Sequence, residues 1–352
     1  MVALRRMPLF AAAAAALLAG MAAGEGRLGW PGPSIDLMAV HGPLMVSGFF
    51  GTVIGLERAV ALDRPVAFAA PALSAVGALA LLAGFPGVGA LAMVLGSLGF
   101  VAMAAEVLRR QHETFTLILA LGALCWLVGN LIWLSGRPPP EAVPAWAGFL
   151  VLTIAGERLE LSRFLPPWRW RTPTLIPILA LLLAGIGLSV AGHPLTWPVF
   201  GGGLMALTVW SLGNDVIRRT IRQPGLTRYV AIALASGYVW AAVAGLLMTG
   251  LGFCEGGERA DAALHALFIG FVFAMVFGHA PVIAPAVLKV QLPFKPYFYG
   301  PLALLHAALL LRLAGDLAEI HALRQWGGLA NGAAILVFLV TMAATAILAR
   351  RR

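Results

Sequence analysis

The residues most able to do chemistry in this chain are four histidines within long apolar runs. They are His41, His265, His279 and His306. An imidazole surrounded by hydrocarbon is costly unless it meets a hydrogen-bond partner, water or a metal. Neutral imidazole nitrogens are also common axial ligands of haem iron. Four such residues favour a cofactor site or a proton path. The alternative is that each one simply bonds a neighbouring helix.

Two of these histidines lie at matching depth near the predicted outer face. His41 follows Asp36, at the start of one apolar run, by five residues. His265 follows Asp261, at the start of another, by four. Both runs are predicted to cross the membrane from outside to inside. One imidazole from each of two helices is a usual way to hold a b-type haem in a bundle, so haem b fits this outer pair.

The other two histidines match in depth at the inner end. His279 precedes Lys289 by ten residues, and His306 follows Tyr297, at the inner start of a span of opposite direction, by nine. In a regular α-helix His265 and His279 would fall within roughly 40° of one face and about 21 Å apart along the axis. The spacing predicts a second, inner site for another haem or a metal.

The composition is that of a helical membrane protein. Of 352 residues, 61% are hydrophobic and 11% are charged, and the mean hydropathy is +0.91. A soluble fold of this length carries far more charge. The net charge of +9 comes mostly from arginines in short loops, so no nucleic-acid partner is expected. With two cysteines and no C-x-x-C motif, c-type haem attachment is excluded.

The apolar runs predict an all-α, polytopic fold in one transmembrane domain covering residues 1–352. Each run is long enough to cross the hydrocarbon core as a helix. The twelve predicted spans are 7–24, 36–57, 65–85, 88–108, 114–135, 144–165, 174–191, 196–217, 228–251, 262–289, 297–315 and 327–349.

The distribution of Lys and Arg predicts that both termini are cytoplasmic. Of the 24 such residues, five would lie outside and the other 19 inside, which is the asymmetry that orients multi-pass proteins. The first run also resembles a secretory signal. Its cleavage would leave eleven spans, and we expect it to be retained. The lipid bilayer is therefore a predicted partner, and the bacterial inner membrane the predicted location.

Five charged residues near predicted inner ends of spans are candidates for a second role. They are Glu57, Arg58, Glu157, Arg158 and Asp215. A charge at a helix end usually reaches the interface and needs no further explanation. The functional alternative is a proton relay or a partner for haem propionates.

Two stretches of the chain are similar in sequence, which suggests an internal repeat. GFFGTVIGLER at 48–58 is matched by GFLVLTIAGER at 148–158, and the tenth span carries Gly270 and Phe271 in a comparable stretch. Spans two, six and ten would then be equivalent positions in three four-helix units. That is the plan of the haem–copper oxidase catalytic subunit, which the chain weakly resembles. The chain has no adjacent His-His pair, so an oxygen-reducing oxidase is not expected.

The chain also resembles the NnrS family, twelve-span membrane proteins that contain haem and copper and are associated with nitric oxide stress in denitrifying bacteria. The stretches RMPLFAAAAAALLAG, AVHGPLMVSGFFGTVIG and LHALFIGFVFAMVFG carry the likeness. The resemblance implies His41 and His265 as ligands. The family often reads H-x-H-E-M where this chain has Ala39 and Gly42, and the register of Gly278 and His279 differs. Haem is therefore better supported than copper.

These observations lead to an integral membrane haem protein, similar to NnrS. It would bind or process a diatomic gas, or pass electrons to a redox partner, in nitric oxide or nitrosative-stress metabolism. Whether it catalyses a reaction is left open. The alternative is a proton-coupled secondary transporter, in which the histidines and acidic residues couple protons to a solute. A third class is an assembly subunit without a cofactor.

Overall fold

Long helices account for all the predicted spans. The computed structural model describes residues 2–166, 168–250 and 256–350, and none of these residues forms a strand. The all-α prediction is thus confirmed. In chain order the helices α1 to α12 are Val2–Arg27, His41–Leu62, Pro65–Leu82, Pro86–Arg110, Thr114–Leu134, Pro139–Leu161, Arg171–Val190, Thr196–Asn214, Leu226–Gly250, Glu258–Leu288, Pro296–Ala318 and His321–Arg350.

Eleven of the helices in the described part of the chain are long and apolar enough to cross a membrane. The remaining one, α8, has 19 residues, enough for about 28 Å. It is not among the eleven, and its sequence includes two threonines, a serine and an asparagine. This helix corresponds to the predicted span 196–217. The chain is therefore a multi-pass membrane protein whose apolar helices fit a lipid bilayer.

The chain divides into two compact units. The first comprises Met1–Glu157 and Ser189–His193, and the second comprises Arg158–Leu188 and Pro194–Arg352. The boundary falls within α6, between two consecutive charged residues. The prediction of a single domain over residues 1–352 stays a prediction.

Small residues let the helices of the first unit pack closely. Ala16 of α1, Leu44 of α2 and Met93 of α4 share one buried apolar cluster. A side-chain carbon added at Gly77 of α3 would lie 3.0 Å from the carbonyl oxygen of Gly89 in α4. Membrane helices use such small residues to approach one another, because lipid gives them no hydrophobic drive to associate. The first helix is thus an integral part of this packing.

In the second unit, close packing has both small-residue and aromatic contacts. A side-chain carbon at Gly201 of α8 would lie 2.8 Å from the carbonyl oxygen of Gly245 in α9. Phe277 of α10 stacks on Phe338 of α12 with ring centroids 3.9 Å apart. Both phenylalanine side chains are buried. The Phe277–Phe338 contact holds α10, which carries two of the four histidines, against α12.

Both α2 and α10 leave α-helical geometry soon after their first histidine. In α2 a π-helix runs over Leu44–Phe50, and in α10 over Ala266–Phe273. A π-helix forms i→i+5 hydrogen bonds and has more residues per turn, and such turns are frequent at functional sites. The angle predicted between His265 and His279 assumed a regular α-helix. That calculation does not apply to α10.

Candidate functional site

His265 is held by groups of its own helix turn. Its Nδ1 atom lies 2.8 Å from the main-chain oxygen of Asp261 and 3.2 Å from the Oδ1 atom of the same residue. With the proton on Nδ1, the lone pair is on Nε2, which is how metal-ligating histidines are usually oriented. The side chain is 17% exposed. His265 is therefore held through Nδ1, and its Nε2 atom carries the lone pair.

Two arginines hold Asp261 in turn. Arg312 of α11 donates from Nη2 to Asp261 Oδ2 over 2.8 Å, and Arg324 of α12 approaches the same oxygen at 3.4 Å. The Arg312 side chain is buried, at 8% exposure. The Asp261 side chain is 22% exposed, and a half-buried carboxylate with charged partners of this kind keeps a fixed position. The support of His265 thus extends through Asp261 to two further helices.

The same two arginines also lie close to two more acidic residues, Asp316 and Glu258. The Nε atom of Arg324 lies 2.7 Å from Asp316 Oδ1, and its Nη1 atom lies 3.4 Å from Glu258 Oε1. Arg312 lies 3.9 Å from Asp316. A side-chain carbon at Gly315 would meet the main-chain nitrogen of Arg324 at 2.3 Å. The absence of a side chain at Gly315 therefore lets α11 and α12 come close enough to share this network.

His41 is supported by the first helix. Its Nδ1 atom lies 2.7 Å from the main-chain oxygen of Gly20. A side-chain carbon at Gly24 would lie 3.0 Å from His41 Cε1, so α1 packs directly against the imidazole ring. As in His265, a proton on Nδ1 puts the lone pair on Nε2. Helix α1 therefore orients this candidate ligand.

His41 and His265 share a local arrangement. Each bonds a main-chain carbonyl through Nδ1, and each precedes a π-helix, in α2 by three residues and in α10 directly. His41 belongs to the first unit and His265 to the second. The prediction that the two residues bind one haem stays a prediction.

The two inner histidines have different surroundings. His279 bonds the main-chain oxygen of Met275 through Nδ1 over 2.8 Å. His306 Nδ1 accepts a hydrogen bond from Trp240 Nε1 over 3.0 Å. The imidazole proton of His306 is therefore on Nε2. This Nε2 atom lies 2.9 Å from Ser236 Oγ. Both ring nitrogens of His306 are therefore used by protein groups. Ligation of a metal by His306 would break one of these bonds.

Replacing His306 with alanine is expected to destabilise the protein by about 1–3 kcal/mol, because the buried Trp240 N–H loses its acceptor. The haem absorption spectrum is expected to be unchanged. Thermal unfolding and absorption spectra of the purified variant check both statements. Trp240→Phe is the matched control and should leave the spectrum unchanged as well. If His306→Ala and His279→Ala both altered the same absorption band, the inner pair predicted from the sequence would stand.

Charged residues at the predicted inner end of the first unit pair with each other. Arg58 Nη2 donates to Glu157 Oε1 over 2.5 Å. Glu57 is half-buried and lies within electrostatic range of both groups. The Arg58–Glu157 pair joins α2 to α6. A structural role is therefore sufficient for Arg58 and Glu157, while a proton-relay role for Glu57 stays a prediction.

Asp215 is the centre of a buried cluster in the second unit. Arg158 donates to both carboxylate oxygens, over 2.8 and 2.6 Å. Tyr238 donates its hydroxyl proton over 2.7 Å, and the main-chain N–H of Ile217 donates over 2.9 Å. The carboxylate is thus surrounded by donors and has only 2% of its side chain exposed. This environment suits a fixed ion pair better than a group that exchanges protons.

Haem and an isolated metal ion need different numbers of protein ligands. Among the residues that the structure describes, no three or more His, Cys, Asp or Glu side chains form a group that could hold a metal ion. A copper centre of that kind is not found there. Haem needs only one or two protein ligands, because the macrocycle supplies the other four. Single, well-anchored histidines such as His41 and His265 fit that requirement.

The network behind His265 was not predicted. Asp261 precedes His265 by four residues, a spacing that brings two side chains together on a helix, so the sequence contained a signal for this pair. Arg312 and Arg324 lie far from Asp261 in the chain, and nothing local connects them. The sequence did suggest an Arg312–Asp316 pair, but the shorter contact of Asp316 is to Arg324.

Residues 6–347 match a family described as Domain of unknown function (DUF8744). No curated protein matches the chain.

Proposed function

Because the chain belongs to this family, Domain of unknown function (DUF8744), whose description assigns no activity, we propose from its residues that it is an integral membrane haem protein. The observation that carries the proposal is the anchoring of His265. Its Nδ1 atom bonds Asp261, and two arginines hold Asp261 in turn. A carboxylate or carbonyl on the distal nitrogen is the common second partner of metal-ligating histidine. His41, bonded to Gly20, is the other proposed ligand.

The proposed group is haem b, held by axial imidazoles without covalent attachment. When bound, it supplies an iron that can change oxidation state or bind a diatomic gas. The chain's own groups fix the imidazole tautomer through Asp261 and Gly20. The apolar helices around the histidines would exclude water from the macrocycle.

The proposed role is in nitric oxide or nitrosative-stress metabolism, or in related electron transfer, in the bacterial inner membrane. The resemblance to the NnrS family supports this finer statement. If His41 and His265 both held the haem, no position on the iron would remain open for a gas, which would favour electron transfer to a redox partner. Gas binding would require one imidazole to leave. Gas binding would therefore need a change of protein ligand that electron transfer does not need.

The test is the absorption spectrum of the detergent-purified protein, produced with ample haem supply. A Soret band is expected, with sharp low-spin bands after reduction, because two imidazoles produce a six-coordinate iron. The haem-to-protein ratio from a pyridine haemochrome assay gives the number of groups bound. A monodisperse protein without a Soret band would contradict the proposal.

The proton-coupled transporter would then be the leading alternative. Many transporters bind their substrate at helices broken near the membrane midplane. Helix α10, which contains Pro281 and Pro285, stays helical from Glu258 to Leu288, with the π-helix over Ala266–Phe273 inside it. Helix α2, which contains Pro43, is likewise continuous from His41 to Leu62. Neither helix favours the transporter.

A further inference from the structure

Two inner loops of the second unit concentrate positive charge. One follows α6 and covers the described residues 162–166 and 168–171, and the other connects α8 to the first turn of α9 and covers residues 215–228. Together they contain seven arginines and one acidic residue, Asp215, which is already paired with Arg158. The seven are Arg163, Arg169, Arg171, Arg218, Arg219, Arg222 and Arg228. We call this set the arginine surface.

Ser162 joins the two loops. Its Oγ atom accepts a hydrogen bond from the main-chain N–H of Val216 over 3.2 Å. Its carbonyl oxygen accepts one from Arg171 Nη1, also over 3.2 Å. The serine is buried, at 1% exposure. The two arginine-bearing loops are therefore held against each other and present one surface.

Most of the charge on this surface is not neutralised by the protein. Arg169, Arg218, Arg219, Arg222 and Arg228 are exposed, and among the described residues none of them forms an ion pair with a carboxylate. Arg163 is the exception and lies 3.9 Å from Glu160. The surface therefore has several guanidinium groups available for an anionic partner.

Exposed aromatic rings lie among these arginines. Phe164, Trp168 and Trp170 are 76%, 48% and 50% exposed. Arg163 lies over the Phe164 ring at 5.0 Å and Arg169 over the Trp170 ring at 5.2 Å. Aromatic rings of this kind are enriched at the level of lipid headgroups. The arginine surface therefore lies where phospholipid headgroups would meet it.

We propose that the arginine surface is a binding site for the phosphate headgroups of anionic phospholipids. Guanidinium groups bind phosphate through paired N–H donors, and clusters of basic residues beside membrane helices attract anionic lipids. The arrangement is more than the charge bias that orients membrane helices, because Ser162 joins two separate loops into one surface. The proposal does not depend on the haem.

The first unit provides a matched control. Arg109 and Arg110, an adjacent pair like Arg218 and Arg219, end α4 on the same predicted inner side. Both bind Glu106, each at a distance of 2.7 Å. Removing either pair changes the formal charge of the chain equally. Only the pair in the arginine surface leaves an anionic ligand without its donors.

The experiment titrates the detergent-purified full chain with short-chain phosphatidylglycerol and, separately, with phosphatidylcholine, and counts bound lipids by native mass spectrometry. Phosphatidylglycerol is expected to bind more tightly. Arg218→Gln/Arg219→Gln should weaken its binding by about fivefold per arginine, hence on the order of 25-fold. Arg109→Gln/Arg110→Gln should leave it unchanged. Arg218→Lys/Arg219→Lys should recover most of the binding, which separates the charge effect from misfolding.

Three outcomes would overturn the proposal. One is equal binding of phosphatidylglycerol and phosphatidylcholine. Another is an equal loss of binding in the two glutamine variants, which would indicate a general effect of net charge. The third is full displacement of the lipid by inorganic phosphate at the same concentration, which would show a site for the free anion. The absorption spectrum is expected to be the same in all four proteins.

Discussion

Replacing His265 with alanine is expected to remove most of the bound haem, or to convert what remains to a high-spin form. The substitution deletes one axial bond and leaves the apolar surroundings in place. The fold should survive, because Asp261 keeps its contacts with Arg312 and Arg324 and is not left as an unpaired charge. Soret absorbance per protein, before and after reduction, measures the effect.

The control for this variant is His112→Ala. His112 is exposed in the loop between α4 and α5 and is not among the predicted ligands, so its removal should change neither the absorbance nor the spin state. Size-exclusion profiles of both variants should match that of the wild type. A His265→Ala protein with an unaltered low-spin spectrum would show that His265 is not a ligand, even if the wild type contains haem.

Membrane spans were predictable from the sequence because hydrocarbon imposes a simple rule. A crossing segment must be about 20 residues long and mostly apolar, and it must be helical to satisfy its own backbone. Helix α10 meets this rule, and its position was predicted closely. Helix α8 has the required length but is not among the eleven helices that meet both parts of the rule. Length, position and helical state follow from these local properties.

The π-helices could not be predicted in the same way. Nothing in the stretch Leu44–Phe50 or Ala266–Phe273 separates it by composition from the α-helix that follows. An extra residue in a helical turn is accommodated by its packing partners. In α2 these include Trp126, which would lie 2.2 Å from a side-chain carbon at Gly51. In α10, a side-chain carbon at Gly270 would lie 2.4 Å from Trp240. Such contacts depend on helices distant in the chain.

The partners of charged residues on other helices could not be predicted from the sequence either. Helix-end charges were expected to reach the interface, and the partner of Arg58, which is Glu157 at 99 residues' distance in the chain, was not predicted. The similarity between the stretches 48–58 and 148–158 had marked these two Glu-Arg positions as equivalent. In the first unit, Arg58 of one position bonds Glu157 of the other. Spacing along one helix identifies partners at i+3 or i+4. It cannot identify a partner on another helix, and so the anchoring of Asp261 by Arg312 was also missed.

Replacing Asp215 with alanine is expected to destabilise the protein by about 3–5 kcal/mol, because a buried arginine loses its counter-ion. Arg158 is 7% exposed and would retain a charge without a partner. Tyr238 and the main-chain N–H of Ile217 would lose their acceptor as well. The free energy of unfolding, measured by titration with a denaturing detergent in mixed micelles, gives the change.

The matched control for Asp215→Ala is Glu160→Ala. The Glu160–Arg163 pair is about half exposed and separated by 3.9 Å, and exposed pairs contribute at most about 1 kcal/mol. The double substitution Arg158→Met/Asp215→Leu removes both buried charges together, so it should recover much of the stability lost in the single variant. An Asp215→Ala protein as stable as Glu160→Ala would contradict a buried structural pair. Asp215 would then have to be tested as a proton-relay group, by measuring how the variant changes activity at constant stability.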